Sequence, residues 1–318
     1  MISIVVPAYN EQDGIEALCH RVHAAAGQWG DPSYELIIVD DGSRDRTLEI
    51  CEAIAAEDKR VRVVSLSRNF GHQPAVTAGL DHATGDIVAV IDADLQDPPE
   101  ELYRFIDKVR EGWDVAYAIR TNRKEGPLKR LAYYLYYRIL RKLATIDIPP
   151  DSGDFCVMSR RVVDALRELP ERSRFVRGLR AWVGFRQAGL SYERRARHAG
   201  EPKYNFGRLM KLALDGVINF SSRPLQFSMV LGFVVGVFSI LLAALVLAQY
   251  ALNWTILGFN PHQTRGWTSL ILVILFSSAA QLFCVGILGE YVGRVFEETK
   301  RRPIYLVGRR INIEPPRD

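Results

Sequence analysis

The segment from Ile91 to Asp97 holds the residues of this 318-residue chain that are best suited to do chemistry. Asp92 and Asp94 directly follow the apolar run Ile87–Ile91, which predicts a buried strand. Because acids at alternate positions leave a strand end on the same side, the two carboxylates can converge on a divalent cation. Mg²⁺ prefers oxygen ligands and usually keeps contact with substrate phosphates. The alternative is a solvated acidic turn.

The elements that position this segment alternate between strand and helix patterns. The pattern predicts strands at Ser3–Pro7, Glu35–Val39, Val61–Leu66, Ile87–Ile91 and Val115–Ile119, and helices at Glu11–Ala26 (with Asn10 as N-cap), Arg46–Glu57, His72–His82 and Pro99–Arg110. This order predicts an α/β fold with a mostly parallel, Rossmann-like sheet and helices on both faces. Ligands of such sheets bind beyond the carboxyl ends of the strands, where polar residues recur in this chain, so we expect a nucleotide pocket there. The first strand has no GxGxxG after it, which disfavours a dinucleotide site.

Two long runs near the C-terminus lack Asp, Glu, Lys and Arg, and they predict transmembrane helices at about 227–252 and 267–289. Lys and Arg cluster before the first run and after the second, whereas the connecting loop carries only Arg265. The positive-inside rule then predicts that both termini are cytoplasmic.

The overall composition indicates which kinds of partner the protein is suited to bind. The net charge is +4, and the C-terminal third gathers its basic residues around apolar runs, which favours a membrane surface over nucleic acid. The four cysteines are scattered without CxxC spacing, which is typical of free thiols. Met1 begins a strand pattern without the basic start of a signal peptide. The basic, aromatic-rich segment Lys124–Leu143 predicts an interfacial amphipathic helix, with an ordinary surface helix as the alternative.

Several motifs in a fixed order carry a family resemblance. They are Val5-Val6-Pro7-Ala8-Tyr9-Asn10-Glu11, Val39-Asp40-Asp41-Gly42-Ser43, Ser67-Arg68-Asn69-Phe70-Gly71, Asp92-Ala93-Asp94-Leu95-Gln96-Asp97-Pro98-Pro99-Glu100 and Ser159-Arg160-Arg161. With two apolar runs at the C-terminal end, this set resembles the inverting GT-A glycosyltransferases of family two. The nearest subgroup is the polyprenyl-phosphate glycosyltransferases, which include dolichyl-phosphate mannose synthase and the bacterial bactoprenol glucosyltransferases.

The resemblance implies a role for each matched residue. The nucleotide-binding set would be Pro7, Tyr9, Asn10, Glu11, Asp40, Asp41 and Asp92. The metal-binding set would be Asp92, Asp94 and Gln96, holding Mg²⁺ or Mn²⁺ against the donor diphosphate, with Asp97 outside it. The catalytic set would be Asp154, Asp94, Arg120 and Lys203, where Asp154 occupies the place of the family's candidate catalytic carboxylate. The acceptor-phosphate set would be Arg123, Lys203 and Tyr204.

The implied reaction is transfer of a hexose, with glucose favoured, from a UDP-sugar to polyprenyl (undecaprenyl) phosphate. It implies a bacterial inner-membrane enzyme with a cytoplasmic catalytic domain. The expected regions are 1–125 (nucleotide-sugar core), 126–146 (interfacial helix), 147–222 (acceptor side), 223–293 (membrane helices) and 294–318 (cytoplasmic tail). The apolar tail segment Pro303–Val307 predicts pairing with a neighbouring subunit in a homo-oligomer. The alternatives are another donor (GDP-mannose or an amino sugar), a processive polysaccharide synthase, or a non-enzymatic membrane scaffold.

Overall fold

The computed structural model describes residues 1–30, 33–121, 152–172, 174–193, 223–252 and 266–313. They belong to two compact units, one within Met1–Gly216 and Arg301–Asp318 and the other within Val217–Lys300. The predicted interfacial helix, the loop that contains Arg265, and the candidate residues Arg123, Lys203 and Tyr204 lie outside the described residues.

The first unit is built from alternating strands and helices. Its strands are β1 (Ile2–Ala8), β2 (Tyr34–Asp40), β3 (Val61–Leu66), β4 (Ile87–Val90), β5 (Val115–Thr121), β6 (Ser152–Ser159), β7 (Gln187–Glu193) and β8 (Val307–Ile311). Its helices are α1 (Ile15–Ala26), α2 (Thr47–Glu57), α3 (His72–His82), α4 (Leu102–Arg110), α5 (Arg160–Glu168) and α6 (Val176–Trp182), with a 3₁₀ turn at Pro99–Glu101. The predicted bounds of β3 and α3 are confirmed at both ends.

The eight strands of the described residues form one sheet in the order β7-β5-β6-β4-β1-β2-β3-β8. The β1–β2, β1–β4, β2–β3 and β5–β7 pairs are parallel, whereas β6 runs antiparallel to both β4 and β5, and β8 runs antiparallel to β3. Six strands therefore share one direction, which confirms the predicted mostly parallel α/β class. The reversed strand β6 lies next to the strand that precedes the acidic segment.

Apolar side chains cover both faces of the sheet. Ile4 and Val6 of β1 belong to a buried cluster with Leu18 of α1 and Phe105 of α4. Val5 points to the opposite face, where α3 packs so closely that a Cβ on Gly79 would overlap the Val5 side chain. The alternation of β1 thus buries successive residues on opposite faces, as expected for a strand covered on both sides.

The first helix begins later than predicted, and the prediction that Asn10 is its N-cap is wrong. Residues 11–14 form a turn, and Gly14 is the residue that precedes α1. Asn10 has a φ of 54°, and its side-chain oxygen accepts the backbone N–H of Arg44 at 2.9 Å. Because this side chain ties two loops together at the carboxyl edge of the sheet, it does not cap the helix.

The C-terminal tail contributes an edge strand to the sheet of its own chain. The strand β8 begins at Val307, where the predicted β-prone segment ends, and the Ser67 N–H donates to the Leu306 carbonyl at 2.9 Å. The Asn312 side-chain amide then donates to the carbonyls of Ala55 (2.6 Å) and Val61 (2.8 Å). Pairing with a neighbouring subunit stays a prediction, and it would use the outer edge of β8.

The described part of the second unit consists of two long helices, α7 (Arg223–Leu252) and α8 (Trp267–Thr299). Both are long and apolar enough to cross a membrane, within Leu225–Leu242 and Phe276–Thr299. Large apolar side chains such as Phe233, Ile240 and Leu282 point outward and are exposed. Large exposed apolar surface of this kind marks contact with lipid or with another protein.

Candidate active site

The acidic segment leaves β4 at the carboxyl edge of the sheet and turns sharply there. Leu95 has a φ of 59°, and the Gln96 N–H donates to Asp94 Oδ1 at 3.1 Å, which closes a short Asx-type turn. Asp92, Asp94 and Gln96 are all partly exposed, and the Asp92 side chain keeps 21% of its surface accessible. The turn therefore keeps three oxygen-bearing side chains accessible at the strand end.

The reversed strand β6 brings a second carboxylate to the same edge. Val90 pairs with Cys156, so the register continued by two residues sets Asp154 opposite Asp92. The Asp154 side chain is only 17% exposed. The predicted catalytic carboxylate and a predicted metal ligand are therefore neighbours, although 62 positions of sequence separate Asp92 and Asp154.

Two basic side chains contact Asp154, and the sequence analysis assigned neither of them to the site. His72 Nε2 lies 3.3 Å from Asp154 Oδ2 and 3.7 Å from Asp92 Oδ1. Arg177 places Nη2 3.1 Å from Asp154 Oδ2, and its Nε donates to Oδ1 at 3.3 Å. The position of His72, directly after the Ser67–Gly71 motif, was the available sequence signal, whereas Arg177 belongs to no motif of the set.

The charges in this cluster shift one another's pKa values. Burial disfavours the imidazolium, but the hydrogen bond to Asp154 and the charges of Asp92 and Asp154 together raise the pKa of His72 to about 9. Burial would raise the pKa of Asp154, yet Arg177 and His72 hold it well below its usual range. Burial raises the pKa of Asp92 to about 6, even though His72 opposes that shift. The cluster favours an ionised Asp154 beside a cationic His72.

The carboxylate of Asp41 forms hydrogen bonds within the protein. The side chain is buried, with 3% of the residue exposed, and its oxygens accept the backbone N–H groups of Phe70 (2.7 Å) and Gly71 (2.9 Å) and the Asn69 amide (3.0 Å). Burial raises the pKa of Asp41, although the two backbone hydrogen bonds oppose the shift. Asp41 thereby fixes the loop that leads into α3 and His72.

The loops after β1 and β2 are also joined to each other. Asp40 is buried, accepting the Ser43 N–H and the Ser65 hydroxyl, both at 3.1 Å. The Asn10 N–H donates to Ser43 Oγ at 3.0 Å, and the Glu11 N–H donates to Thr47 Oγ1 at 2.9 Å. These contacts build one continuous rim beside the acidic segment.

The remaining candidates lie as follows. Pro7 is buried within β1, Tyr9 and Glu11 are partly exposed, and Arg120 lies near the carboxyl end of β5, with its side chain outside the described part. Asp97 is buried and accepts the hydroxyl of Tyr192. Its exclusion from the ligand set stays a prediction.

The donor chemistry of the acidic segment fits a hard divalent cation. Asp92, Asp94 and Gln96 offer only oxygen donors, which suit Mg²⁺ or Mn²⁺. Within the described residues, no group of three or more His, Cys, Asp or Glu side chains is placed to hold a metal ion by itself.

Comparison with known proteins places the chain in a family. The Glycosyl transferase family 2 model matches residues 3–167. The chain is 42% identical over 316 residues to "Uncharacterized glycosyltransferase YkcC" of Bacillus subtilis, covering 99% of this chain and 95% of that protein. It is 40% identical over 307 residues to "Bactoprenol glucosyl transferase" of Shigella phage SfX, covering 96% and 98% of the two chains. A solved glucosyl-3-phosphoglycerate synthase from Mycobacterium tuberculosis in complex with UDP aligns with a TM-score of 0.48 and 24% identity over 69% of this chain and 79% of that one. The family match and the near full-length relatives show that this chain belongs to glycosyl transferase family 2 and is a glycosyltransferase.

Proposed function

We propose that this protein transfers glucose from UDP-glucose to polyprenyl (undecaprenyl) phosphate and inverts the anomeric centre. The observation that carries the proposal is the 40% identity to a bactoprenol glucosyl transferase over nearly the whole of both chains. A carboxylate pair at the carboxyl edge of the sheet and two helices suited to a membrane agree with this reaction.

The acceptor phosphate is the nucleophile in this reaction. It is anionic at neutral pH, so it needs orientation and charge screening more than a strong base. Asp154, held ionised by Arg177 and His72, would orient the acceptor or take its residual proton. Arg120, Arg123, Lys203 and Tyr204 are proposed to engage the phosphates, because Arg and Lys stabilise anions that approach each other.

The donor would lie along the rim formed by the β1, β2 and β4 ends. Pro7, Tyr9, Asn10, Glu11, Asp40 and Asp41, with Asp92, form the proposed nucleotide set. Asp92, Asp94 and Gln96 would hold Mg²⁺ or Mn²⁺. When bound, that cation supplies positive charge next to the UDP leaving group.

Two helices that cross the membrane would let a soluble donor and a lipid acceptor meet on one enzyme. We assign the chain to the bacterial inner membrane as a two-span protein with the catalytic domain and both termini in the cytoplasm. The basic flanks of the spans support this orientation. Anchoring the enzyme beside the lipid phosphate raises the effective concentration of the acceptor. We also propose a homo-oligomer that uses the exposed edge of β8.

The decisive experiment is a donor panel with the full-length protein in vesicles that contain undecaprenyl phosphate. UDP-glucose, UDP-galactose, UDP-N-acetylglucosamine and GDP-mannose would each be supplied with Mg²⁺ or Mn²⁺, and the lipid product identified by mass spectrometry. We expect a monoglucosylated lipid phosphate from UDP-glucose alone, and none in vesicles without the lipid phosphate. Another product sugar would overturn the donor assignment. A polymer would indicate a processive synthase, and no transfer from any of the four donors would overturn the proposed donor assignment.

A further inference from the structure

We infer that His72 is a positioning residue that holds Asp154 in its working orientation opposite Asp92. The inference rests on the roles proposed above for these two aspartates. No motif match assigned His72 to the site, and its place in the cluster comes from the tertiary structure.

One nitrogen atom of His72 lies close to the carboxylates of both Asp92 and Asp154. His72 Nε2 is 3.3 Å from Asp154 Oδ2, within hydrogen-bond range, and 3.7 Å from Asp92 Oδ1, where the attraction is electrostatic. The register of β4 and β6 forces both carboxylates to the same edge, where they repel each other. The imidazole N–H of His72, close to both carboxylates, offsets this repulsion, so Asp154 can stay oriented toward Asp92.

Arg177 and His72 hold Asp154 from different directions. The guanidinium of Arg177 contacts both oxygens of Asp154, at 3.1 and 3.3 Å, and so draws the carboxylate toward α6. His72 contacts Oδ2 from α3, a different element. With donors from two directions, the plane of the Asp154 carboxylate is defined, as a reacting or acceptor-orienting group requires.

The backbone that carries His72 is itself held at two points. On one side, Asp41 binds the N–H groups of Phe70 and Gly71, the two residues that precede His72. On the other side, the Gln73 side-chain oxygen accepts the Val176 N–H at 2.8 Å, which ties the start of α3 to the start of α6. His72 and Arg177 therefore approach Asp154 from two elements that are joined to each other.

The test compares His72→Ala and His72→Gln with wild type, and uses exposed His20→Ala as the matched control. The amide of Gln reaches a similar position and supplies an N–H donor. We expect His72→Ala to lower kcat by about 10- to 100-fold, the scale of a misplaced reacting group, with the donor KM and the Kd of UDP with Mn²⁺ changed less than about threefold. His72→Gln should recover most of kcat, and His20→Ala should match wild type.

Three results would overturn the inference: unchanged kcat in His72→Ala, a UDP affinity that falls in parallel with kcat, or a Gln variant no better than Ala. Kinetics would use whichever donor and acceptor the wild type turns over, so a wrong sugar assignment leaves the comparison intact. A second readout needs no activity. The Tm changes of His72→Ala and Asp154→Asn should be non-additive in the double variant, and additive changes would contradict the contact.

Discussion

The carboxylate of Asp41 accepts the backbone N–H of Gly71 at 2.9 Å, so the residue that directly follows β2 fixes the entry to α3. Replacing Asp41 with Ala would leave partly buried donors of the 69–71 loop without their acceptor. We expect the free energy of unfolding to fall by about 1–3 kcal/mol, the usual cost of such unsatisfied groups. Thermal unfolding would measure this change. Asp13→Ala is the control. It removes an exposed carboxylate from the loop between β1 and α1, and it should leave Tm unchanged. Equal Tm values for the two variants would refute this structural role of Asp41.

Asp94 is proposed as a metal ligand, so Asp94→Asn should abolish metal-dependent transfer. Asn keeps the oxygen that accepts the Gln96 N–H, and the turn should survive. We expect at least about a hundredfold loss of kcat, on the scale of losing one electrostatic stabiliser of the transition state. Mn²⁺ binding, followed by electron paramagnetic resonance in the presence of UDP, should weaken in parallel. Asp107→Asn on α4 is the control, and full activity of Asp94→Asn would remove Asp94 from the metal site.

Gly79 lies where α3 packs most closely on the sheet. A Cβ at this position would overlap Val5 and lie 3.2 Å from Val39 Cγ2. We expect Gly79→Ala to destabilise the protein by about 1–3 kcal/mol through overpacking. Gly27→Ala at the end of α1 is the control, because its φ of −60° and open surroundings accept a methyl group. A Gly79→Ala variant as stable as the control would contradict the described packing.

The edge strand β8 should stabilise the sheet through Asn312 more than through its surface charges. Asn312→Ala removes the donors to the carbonyls of Ala55 and Val61, and we expect a loss of about 1–3 kcal/mol for the two buried acceptors. Arg309→Ala breaks an exposed ion pair with Glu52 and should cost no more than about 1 kcal/mol. Urea unfolding would compare the two, and a larger effect of Arg309→Ala would reverse this assignment.

Removal of the whole tail tests the proposed oligomer. Truncation after Arg302 deletes β8 and uncovers the edge of β3. We expect a lower Tm and increased aggregation, because an unpaired edge strand is a template for association. Size-exclusion chromatography of the soluble fraction would then report assembly size. An oligomer of unchanged size would show that the β8 edge is not the subunit contact.

Membrane orientation is predicted from the basic flanks of the two spans. A single cysteine at Asn260, in a variant whose native cysteines are replaced by serine or alanine, should react with a membrane-impermeant maleimide from the outside of intact cells. A matched cysteine at Arg302 should react only after the membrane is opened. Labelling of position 260 only from the cytoplasmic side would overturn the proposed topology.

Local sequence patterns were sufficient to predict much of the fold. Apolar alternation and helical spacing depend on neighbouring residues, so β3 and α3 were predicted with the observed bounds. The positions of Asp92 and Asp94 directly after β4 were predicted for the same reason, as were the two long apolar helices. Each of these features lies within one continuous segment of the sequence. The start of α1 was mispredicted because Asn10 bonds to Arg44 of another loop, a contact that spacing within the helix cannot reveal.

The site itself was decided by contacts between distant segments. Strand β6 lies antiparallel beside β4, and only this register sets Asp154 opposite Asp92. His72 and Arg177 became part of the site because α3 and α6 both begin at that edge. The tail became an edge strand because it pairs with β3. The sequence by itself determined which residues have the chemistry for metal and phosphate binding and which segments are apolar enough to span a membrane. The tertiary structure decided which carboxylates, imidazole and guanidinium meet, because hydrogen bonding and charge interactions act over a few ångströms in space, whatever the separation along the chain.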